Sequence, residues 1–221
     1  MYRHAAAALA VGITLAGCAG GSTQRPTPPP VPTPALNGLL LSAGEINAVM
    51  GTTNITPHPT FTQMADHRNL LPNLNCLGIW QIGEAAIYGS SGYVAVRDQV
   101  LREPDADDWN SLVEQAVVSY PSADAAKKFY AESTDRWSKC SNHHVSIAYT
   151  GYPQTAWGFG PLTDTDTELT MPLSRSRNGG RACQRALAVD NNVIIDVAAC
   201  GQAINNQAST IVAKIRSRIP A

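Results

Sequence analysis

Charged side chains are scarce in this sequence. Asp, Glu, Lys and Arg make up 15% of its 221 residues and leave a formal net charge of −1, whereas soluble proteins average about 25% charged residues. The basic residues are scattered, and no run of Lys or Arg forms the patch that binding to a phosphate backbone requires. Nucleic acid is therefore not expected as a partner.

Long hydrophobic runs are also missing. The longest apolar stretch, residues 5–16, has twelve residues, and a helix that spans a bilayer needs about 20. Arg3 and His4 precede this stretch, which gives it the order of a signal peptide, a polar n-region followed by an apolar h-region. The chain is thus expected to be exported without keeping a membrane span.

The next residues indicate how the exported chain is attached. Leu15-Ala16-Gly17-Cys18 resembles the lipobox of bacterial lipoproteins, in which the cysteine sulfur receives a diacylglycerol and the peptide is cut just before it. This resemblance implies a signal peptide at 1–17 and a lipidated Cys18 at the extracytoplasmic face of the cell membrane. The alternative is an ordinary secretory signal with a chance cysteine. Two or three acyl chains would anchor the protein stably, since a single chain binds only marginally.

A proline-rich segment follows Cys18. Residues 19–34 contain six prolines and almost no side chain that could enter a core. This composition favours polyproline II, which rises about 3.1 Å per residue and could hold the following domain up to roughly 50 Å from the membrane. We expect residues 18–35 to form a lipidated tether and residues 36–221 to form one domain, because about 185 residues suit a single core.

Four cysteines remain once Cys18 is set aside: Cys76, Cys140, Cys183 and Cys200. An even number of cysteines in an exported domain predicts two disulfides. A metal site is the alternative, but the chain has no CxxC pair, and the separations of 64, 43 and 17 residues match no common zinc pattern.

The pairing of these cysteines follows from a hairpin near the C-terminus. Asn191–Asn192 separates two apolar runs, and Asn tolerates the positive φ that a tight turn needs. Counting outward from this turn places Cys183 directly opposite Cys200, within the range that a disulfide requires. The second bridge is then Cys76 with Cys140.

Three segments carry helix signals: 42–50, 123–139 and about 203–218. The first has a capping box at its start, formed by Ser42 and Glu45, and a glycine stop at Gly51. Ser122 caps the second helix, and its apolar face ends at Cys140, which would direct that sulfur inward. The third has an apolar stripe on one side.

Strand-like runs separate these helices: residues 92–101, 111–120, 144–150, 155–162, 167–173 and the final hairpin. The simplest arrangement of such elements has the helices packed on one side of a mainly antiparallel β-sheet, with two disulfides. The sequence therefore predicts an α+β fold.

Five residues are candidates for ligand binding, four of them polar residues in strand patterns that call for apolar ones. Arg185 and Asp196 lie diagonally on neighbouring hairpin strands, close enough for an ion pair that is either structural or part of a site. Asp98 and Gln115 interrupt valine-rich strand faces, and each is either a buried hydrogen-bonded group or the lining of a pocket. Trp109 lies beside an acidic turn and is the tryptophan most suited to meet a ligand.

Catalytic and metal chemistry find little support in the sequence. His143 and His144 are neighbours in a strand-like run, so their side chains point to opposite faces. Asp164, Asp166 and Glu168 alternate as in a calcium loop, but the central Gly and the distal Glu of such a loop are missing. A polar hairpin loop is the simpler interpretation. No catalytic residue, metal ligand or cofactor is expected, and the chain is not predicted to be an enzyme.

A family resemblance rests on the cysteine spacing and on four stretches of sequence: LLSAGEINAVMG, VVSYPSADAAKKFY, WSKC and VDNNVIIDVAACG. Over roughly residues 36–219 the chain resembles the PknH-like extracellular domain family, the sensor domains of mycobacterial receptor Ser/Thr kinases and their stand-alone lipoprotein relatives. The resemblance implies an α+β fold with the two disulfides named above and a cleft proposed to bind an unidentified extracellular ligand. The sequence has no transmembrane run and no kinase domain, so it is not expected to signal across the membrane by itself.

Two functions of different class remain open. The first is a ligand-binding or sensor module whose cleft recognises a small molecule or an envelope component without chemistry. The second is an interaction module that docks an envelope protein and modulates a receptor kinase of the same fold. A groove with convergent polar groups would favour the first, and a flat exposed apolar patch would favour the second. An enzyme or an apolar lipid carrier is the remaining alternative.

Overall fold

A computed structural model of the chain describes residues 28–147, 154–175 and 181–220. The helices, in chain order, are a 3₁₀ helix at Thr33–Leu39, α1 (Ala43–Met50), α2 (Leu74–Trp80), α3 (Ala85–Tyr88), α4 (Ala123–Ser138) and α5 (Gln207–Arg216). The strands are β1 (Thr56–Pro57), β2 (Ala95–Glu103), β3 (Ser111–Ser119), β4 (His144–Ile147), β5 (Thr155–Phe159), β6 (Thr163–Asp164), β7 (Glu168–Arg175), β8 (Ala182–Asp190) and β9 (Val193–Gly201).

All nine strands belong to one antiparallel sheet. Its order is β1-β2-β3-β9-β8-β7-β5-β4, and the short β6 pairs with β7 beside β5. Strands β3, β9 and β8 form the centre. The predicted α+β class with an antiparallel sheet is confirmed.

The helices lie on both faces of this sheet, whereas the sequence predicts them on one. Strand β9 explains the difference, because all nine of its residues are buried. Val193, Ile195 and Val197 pack with α1 and α5, while Ile194 and Cys200 pack with α2 and α4. A central strand with apolar side chains on both faces of the sheet must be covered on each face. We refer to these faces as the α5 side and the α4 side.

The helix starts that depend on local signals lie where the sequence predicts them. Ser42 Oγ accepts a hydrogen bond from the Glu45 amide, and a Glu45 side-chain oxygen accepts one from the Ser42 amide at 2.9 Å. Gly51 closes α1 with φ +69°, in the left-handed region that favours glycine. The Ser122 hydroxyl accepts from the Ala125 amide at 3.2 Å and so begins α4.

Helix α5 begins later than its apolar stripe suggests. Its first amides, those of Ala208 and Ser209, donate to Gln184 Oε1 at 2.9 and 3.3 Å. Gln184 belongs to β8, so the sheet supplies a cap that no residue near the helix start provides. The helix therefore starts at Gln207 instead of about 203.

Both predicted disulfides are confirmed. Cys183 and Cys200 are directly opposed on β8 and β9, with a Cα–Cα distance of 4.0 Å. Cys76 in α2 is bonded to Cys140, just after α4, with a Cα–Cα distance of 5.3 Å. The second bridge joins two helices that cover the α4 side.

The folded unit includes part of the segment that the sequence assigns to the tether. The Val31 amide donates to Asn192 Oδ1 at 2.7 Å, and the Val31 side chain is buried among residues of the α5 side. Asn191 Nδ2 donates to the Pro29 carbonyl at 2.8 Å. The β8–β9 turn thus holds residues 29–31 on the domain. The predicted signal peptide, the predicted lipidation site at Cys18 and residues 19–27 of the predicted tether lie outside the described residues.

Among the helices that the structure describes, none has the length and apolar character needed to cross a bilayer.

Candidate functional site

Arg185 and Asp196 form a buried ion pair on the α4 side, as their diagonal placement predicts. Arg185 Nη2 donates to Asp196 Oδ1 at 2.7 Å, and both side chains are 1% exposed. Nη2 also donates to the Gly78 carbonyl and Nε donates to the Ile79 carbonyl, both at the end of α2, while Nη1 donates to the Val197 carbonyl in β9. The Arg185 side chain therefore ties α2 to the sheet.

The second oxygen of Asp196 is also occupied. Tyr88 donates its hydroxyl to Asp196 Oδ2 at 2.9 Å, and the Gly83 amide donates to the same oxygen at 3.3 Å. Burial, followed by the nearby Asp196 carboxylate, raises the pKa of Tyr88 well above its ordinary value and keeps this donor protonated. Both partners of the ion pair thus serve as structural groups that link α2, α3 and the sheet.

Asp98 lies on the same face but lacks such partners. It is opposite Ala116 in β3, which is in turn opposite Asp196 in β9. Its side chain is 8% exposed, and within the part of the chain that the structure describes its Oδ1 has no hydrogen-bond partner. Burial, followed by the Asp196 carboxylate, raises the pKa of Asp98 to about 7. Asp98 is therefore poised to accept a hydrogen bond or a proton near neutral pH.

Glu114 adds a third carboxyl group to this region. It is opposite Val100 in β2 and Ala198 in β9, two pairs along the strands from the row of Asp98, and so lies on the same face of the sheet. Burial, followed by repulsion from Asp98, raises the pKa of Glu114 well above its ordinary value. Asp98, Glu114 and Asp196 thus all interact with the charge of Arg185. Because carboxylates that lie close together repel one another, the three cannot all ionise easily.

Solvent reaches the edge of this group. Ala116 and Ala198 separate the carboxyl groups on the sheet, and Ile82 packs against both alanines. Ala198 keeps 8% of its surface exposed, like Asp98, and Glu114 is partly exposed. We refer to Asp98, Glu114, Ala116, Ala198 and Ile82 as the acidic recess. It combines small apolar side chains with acceptors for hydrogen bonds, which is typical of ligand sites.

Two backbone features bring loops close to Asp98. Gly83 has φ +52°, and a Cβ at this position would lie 3.0 Å from Asp98 Oδ2, so glycine permits the approach. On the outer edge of β2, the Phe61 amide donates to the Asp98 carbonyl at 2.7 Å and the Asp98 amide donates back at 3.0 Å. The connection between β1 and α2 is thereby attached beside the recess.

The Glu84 side chain also holds the connection between β1 and α2 in place. This carboxylate is 1% exposed and accepts hydrogen bonds from the amides of His67 and Ala86 at 3.0 and 3.2 Å, while His67 Nδ1 lies 2.8 Å from its second oxygen. No strand or helix pattern in the sequence singles out Glu84 or Glu114. Only the position of Glu84 just before a short helix could have indicated a cap.

The other two predicted site residues lie elsewhere. Gln115 points to the α5 side, where its amide donates to the Leu41 carbonyl at 2.8 Å and accepts from the Leu41 amide at 2.9 Å. This pair of bonds gives Gln115 a structural role. Trp109 follows β2, and the Arg181 guanidinium stacks 4.5 Å from its ring centroid. The structure therefore groups Asp98, Arg185 and Asp196, but neither Gln115 nor Trp109, at one place.

An open groove of about 440 Å³ forms a second concavity, beside α4. Lys127, Tyr130 and Thr134 line it from α4, and Asp164 and Asp166 line it from the β6–β7 turn. Tyr130 donates its hydroxyl to Asp164 Oδ1 at 2.6 Å, which joins the two walls at the base. Burial and this bond to Asp164 raise the pKa of the Tyr130 hydroxyl. The alternating acidic residues belong to a polar hairpin turn, as the sequence indicates.

Together the fold and the two disulfides define a class of protein. Disulfides persist in oxidising compartments, and an antiparallel α+β domain with one bridge across its central hairpin and another between its covering helices is suited to the outside of the cell. The class is a disulfide-bonded extracytoplasmic domain.

The chain belongs to the PknH-like extracellular domain family, whose model matches residues 31–218. It is 34% identical over 213 residues to the serine/threonine-protein kinase PknH of Mycobacterium bovis, which covers 95% of this chain and 34% of the kinase. It is 35% identical over 193 residues to PknH of Mycobacterium tuberculosis, which covers 87% of this chain and 30% of the kinase. The chain thus spans about a third of the length of these relatives.

A solved structure agrees with this assignment. The crystal structure of the extracellular domain of PknH from Mycobacterium tuberculosis matches with a TM-score of 0.80 and 34% identity, covering 86% of this chain and 97% of that domain. The similarity is therefore to the extracellular part of the kinase and not to its catalytic domain.

Proposed function

We propose that this chain is an extracytoplasmic lipoprotein whose domain binds a small ligand and performs no chemistry on it. The observation that carries this proposal is the buried Asp98 oxygen without a partner in the acidic recess. Buried polar atoms nearly always have a hydrogen-bond partner. An acceptor that lacks one, beside the partly exposed Glu114, suits a ligand that supplies an amine or hydroxyl donor.

The surroundings of Asp98 support recognition more than catalysis. Arg185 and Asp196 are fully engaged with each other and with backbone groups, so neither is available to a substrate. Asp98 and Glu114 can accept hydrogen bonds and exchange a proton, and the side chains beside them, Ala116 and Ala198, are small. A site built from acceptors and small apolar side chains can select a ligand by its donors and its shape.

The proposed anchor is the lipid on Cys18, after removal of residues 1–17. The lipobox order at Leu15-Ala16-Gly17-Cys18 supports it. The even number of cysteines in the domain supports it as well, because the four others pair with one another. Cys18 is therefore not needed for a disulfide within the domain.

Native mass spectrometry of the full protein extracted from its own envelope tests the ligand. We expect a small non-covalent mass on the wild-type chain that is lost in Asp98→Asn, which removes the charge but keeps the volume. Asp124→Asn, on the exposed start of α4, is the matched control and should retain the mass. A wild-type chain that carries no small molecule, or an Asp98→Asn chain that keeps it, would contradict the proposal.

The second candidate function is docking of an envelope protein. Its support is the exposure of three large apolar side chains, Phe61 at 53%, Leu74 at 42% and Val94 at 56%. Phe61 lies on the segment that is bonded to the backbone of Asp98, next to the recess. If docking is the function, the mass found in the same experiment would be that of a protein, and Phe61→Ser would remove it.

A further inference from the structure

The groove beside α4 lies at one particular end of the sheet. The Val189 amide, at the end of β8, donates to the Thr167 carbonyl in the β6–β7 turn at 3.0 Å. The Tyr120 amide, between β3 and α4, donates to the Asn192 carbonyl in the β8–β9 turn at 2.7 Å. The two turns and the start of α4 therefore meet at the same end, and the groove opens there.

The N-terminal segment is attached at this same end. Asn191 and Asn192, in the β8–β9 turn, bind the backbone of Pro29 and Val31. Pro28 lies ten positions after Cys18, and ten residues of extended chain cannot reach further than about 36 Å. With the anchor on Cys18 proposed above, the end that carries the groove stays within that distance of the membrane.

The charges that line the groove have opposite signs on opposite walls. Lys127 extends from α4, and within the residues that the structure describes no carboxylate lies within 4.0 Å of its ammonium group. Across the groove, Asp164 binds the Tyr130 hydroxyl and the Asp166 amide, while the carboxylate of Asp166 is exposed. A purely anionic ligand would be repelled by the carboxylates of Asp164 and Asp166, and a purely cationic ligand would be repelled by Lys127.

A ligand that carries both charges would satisfy both walls. From the groove we infer a binding site for a zwitterionic head group, with its phosphate at Lys127 and its ammonium at Asp164 and Asp166. The volume of about 440 Å³ lies within the usual range for small ligands, about 300–1,000 Å³. The orientation, which rests on the proposed anchor, favours a phosphoethanolamine lipid of the membrane over a free zwitterion.

Vesicle flotation tests this site with the mature chain from Cys18, carrying Cys18→Ser so that no acyl chain contributes. Both cores lie within residues 31–219, so removal of the signal peptide leaves the domain intact. We expect the chain to float with vesicles of phosphatidylethanolamine and phosphatidylcholine but not with vesicles of phosphatidylcholine and phosphatidylglycerol, because the quaternary ammonium of choline has no N–H to donate to Asp164 or Asp166. Lys127→Gln and Asp166→Asn should each weaken binding about tenfold, as loss of one charged contact implies.

Lys128→Gln is the matched control, because Lys128 is the neighbouring exposed lysine of α4 and does not line the groove. It should bind like the wild type. Equal loss in Lys128→Gln, or equal flotation with phosphatidylglycerol vesicles, would show general surface attraction and overturn the site.

Titration with soluble O-phosphoethanolamine, followed by chemical shifts, separates the two sources of the head group. Binding of the soluble compound together with flotation supports the lipid. Binding of the soluble compound without flotation overturns the lipid as the source, and binding of neither overturns the site. Asp98→Asn should float normally, so a failure at the groove is distinguishable from a failure at the acidic recess.

Discussion

Asp98 lies in a buried environment, close to other carboxyl groups, that disfavours the ionised form of an aspartate side chain. Its register opposite Ala116 places it among carboxyl groups that only one guanidinium balances. The sequence shows that Asp98 breaks a valine pattern, but not that its oxygen lacks a partner, because the partners of a buried group come from segments distant in sequence. The Arg185–Asp196 pair could be predicted, since both residues belong to one hairpin whose turn fixes the register.

The pKa of Asp98 predicts that the domain loses stability as the pH rises. The folded chain holds this proton with a pKa of about 7, against an ordinary value of 3.8. Its contribution is therefore complete below pH about 4 and is lost as the pH rises through about 7. A pKa difference of one between folded and unfolded chains is worth about 1.4 kcal/mol, so the loss should reach a few kcal/mol. Urea unfolding at several pH values measures it.

Asp98→Asn isolates this effect from other carboxyl groups. Glu45, whose bond to Arg218 lowers its pKa to about 2, works in the opposite direction in both chains. The difference in unfolding free energy between wild type and Asp98→Asn should therefore change with pH between about 4 and 8. A constant difference would show that Asp98 ionises normally in the folded domain.

Loss of Arg185 should be among the most damaging single changes in the core. Arg185→Met leaves the Asp196 charge buried, and removal of one partner of a buried ion pair costs about 3–5 kcal/mol. Adding Asp196→Asn removes that charge and should restore part of the stability. Urea unfolding of the single and double variants measures both effects. A cost below about 1 kcal/mol for Arg185→Met would mean that water reaches Asp196 in the folded state.

Among the helices and strands, the sequence predicts features that strong local signals determine, but not features that depend on residues distant in sequence. The capping box of α1 and the β8–β9 register depend on residues within a few positions of each other, and the sequence predicts both. The start of α5 depends on Gln184, which lies 24 residues before Ala208. The cover on both faces follows from β9, whose run VIIDVAAC is apolar on both faces except at Asp196. Such a run is typical of a strand buried on both sides.

The two disulfides should protect different elements. Cys76–Cys140 closes 64 residues and Cys183–Cys200 closes 17, which corresponds to about 4 and 3 kcal/mol on the chain-entropy model. Replacing Cys76 and Cys140 by Ser should also speed amide exchange in α2, because that bridge joins α2 to the end of α4. Replacing Cys183 and Cys200 should leave exchange in α2 unchanged. Hydrogen exchange detected by mass spectrometry compares the two pairs, and equal effects on α2 would contradict the assignment.

At the scale of the whole molecule, the α4 side carries both candidate sites. The acidic recess lies near the centre of the sheet, and the groove lies at the end where the chain enters from its N-terminus. The sequence identifies three of the residues at or beside the recess, Asp98, Arg185 and Asp196. It could not predict the groove, because its walls, α4 and the β6–β7 turn, are distant in sequence and meet only through packing on the sheet.

In the proposed arrangement, a lipid on Cys18 holds an exported domain, closed by two disulfides, at the membrane. The intact mass of the chain extracted from the membrane fraction tests it most directly, with Cys18→Ala as the comparison. We predict a chain that begins at Cys18, carries the mass of two or three acyl chains and has no free thiol, while Cys18→Ala carries no lipid and leaves the membrane fraction. A chain without lipid, or one with free thiols at the four domain cysteines, would contradict the claim.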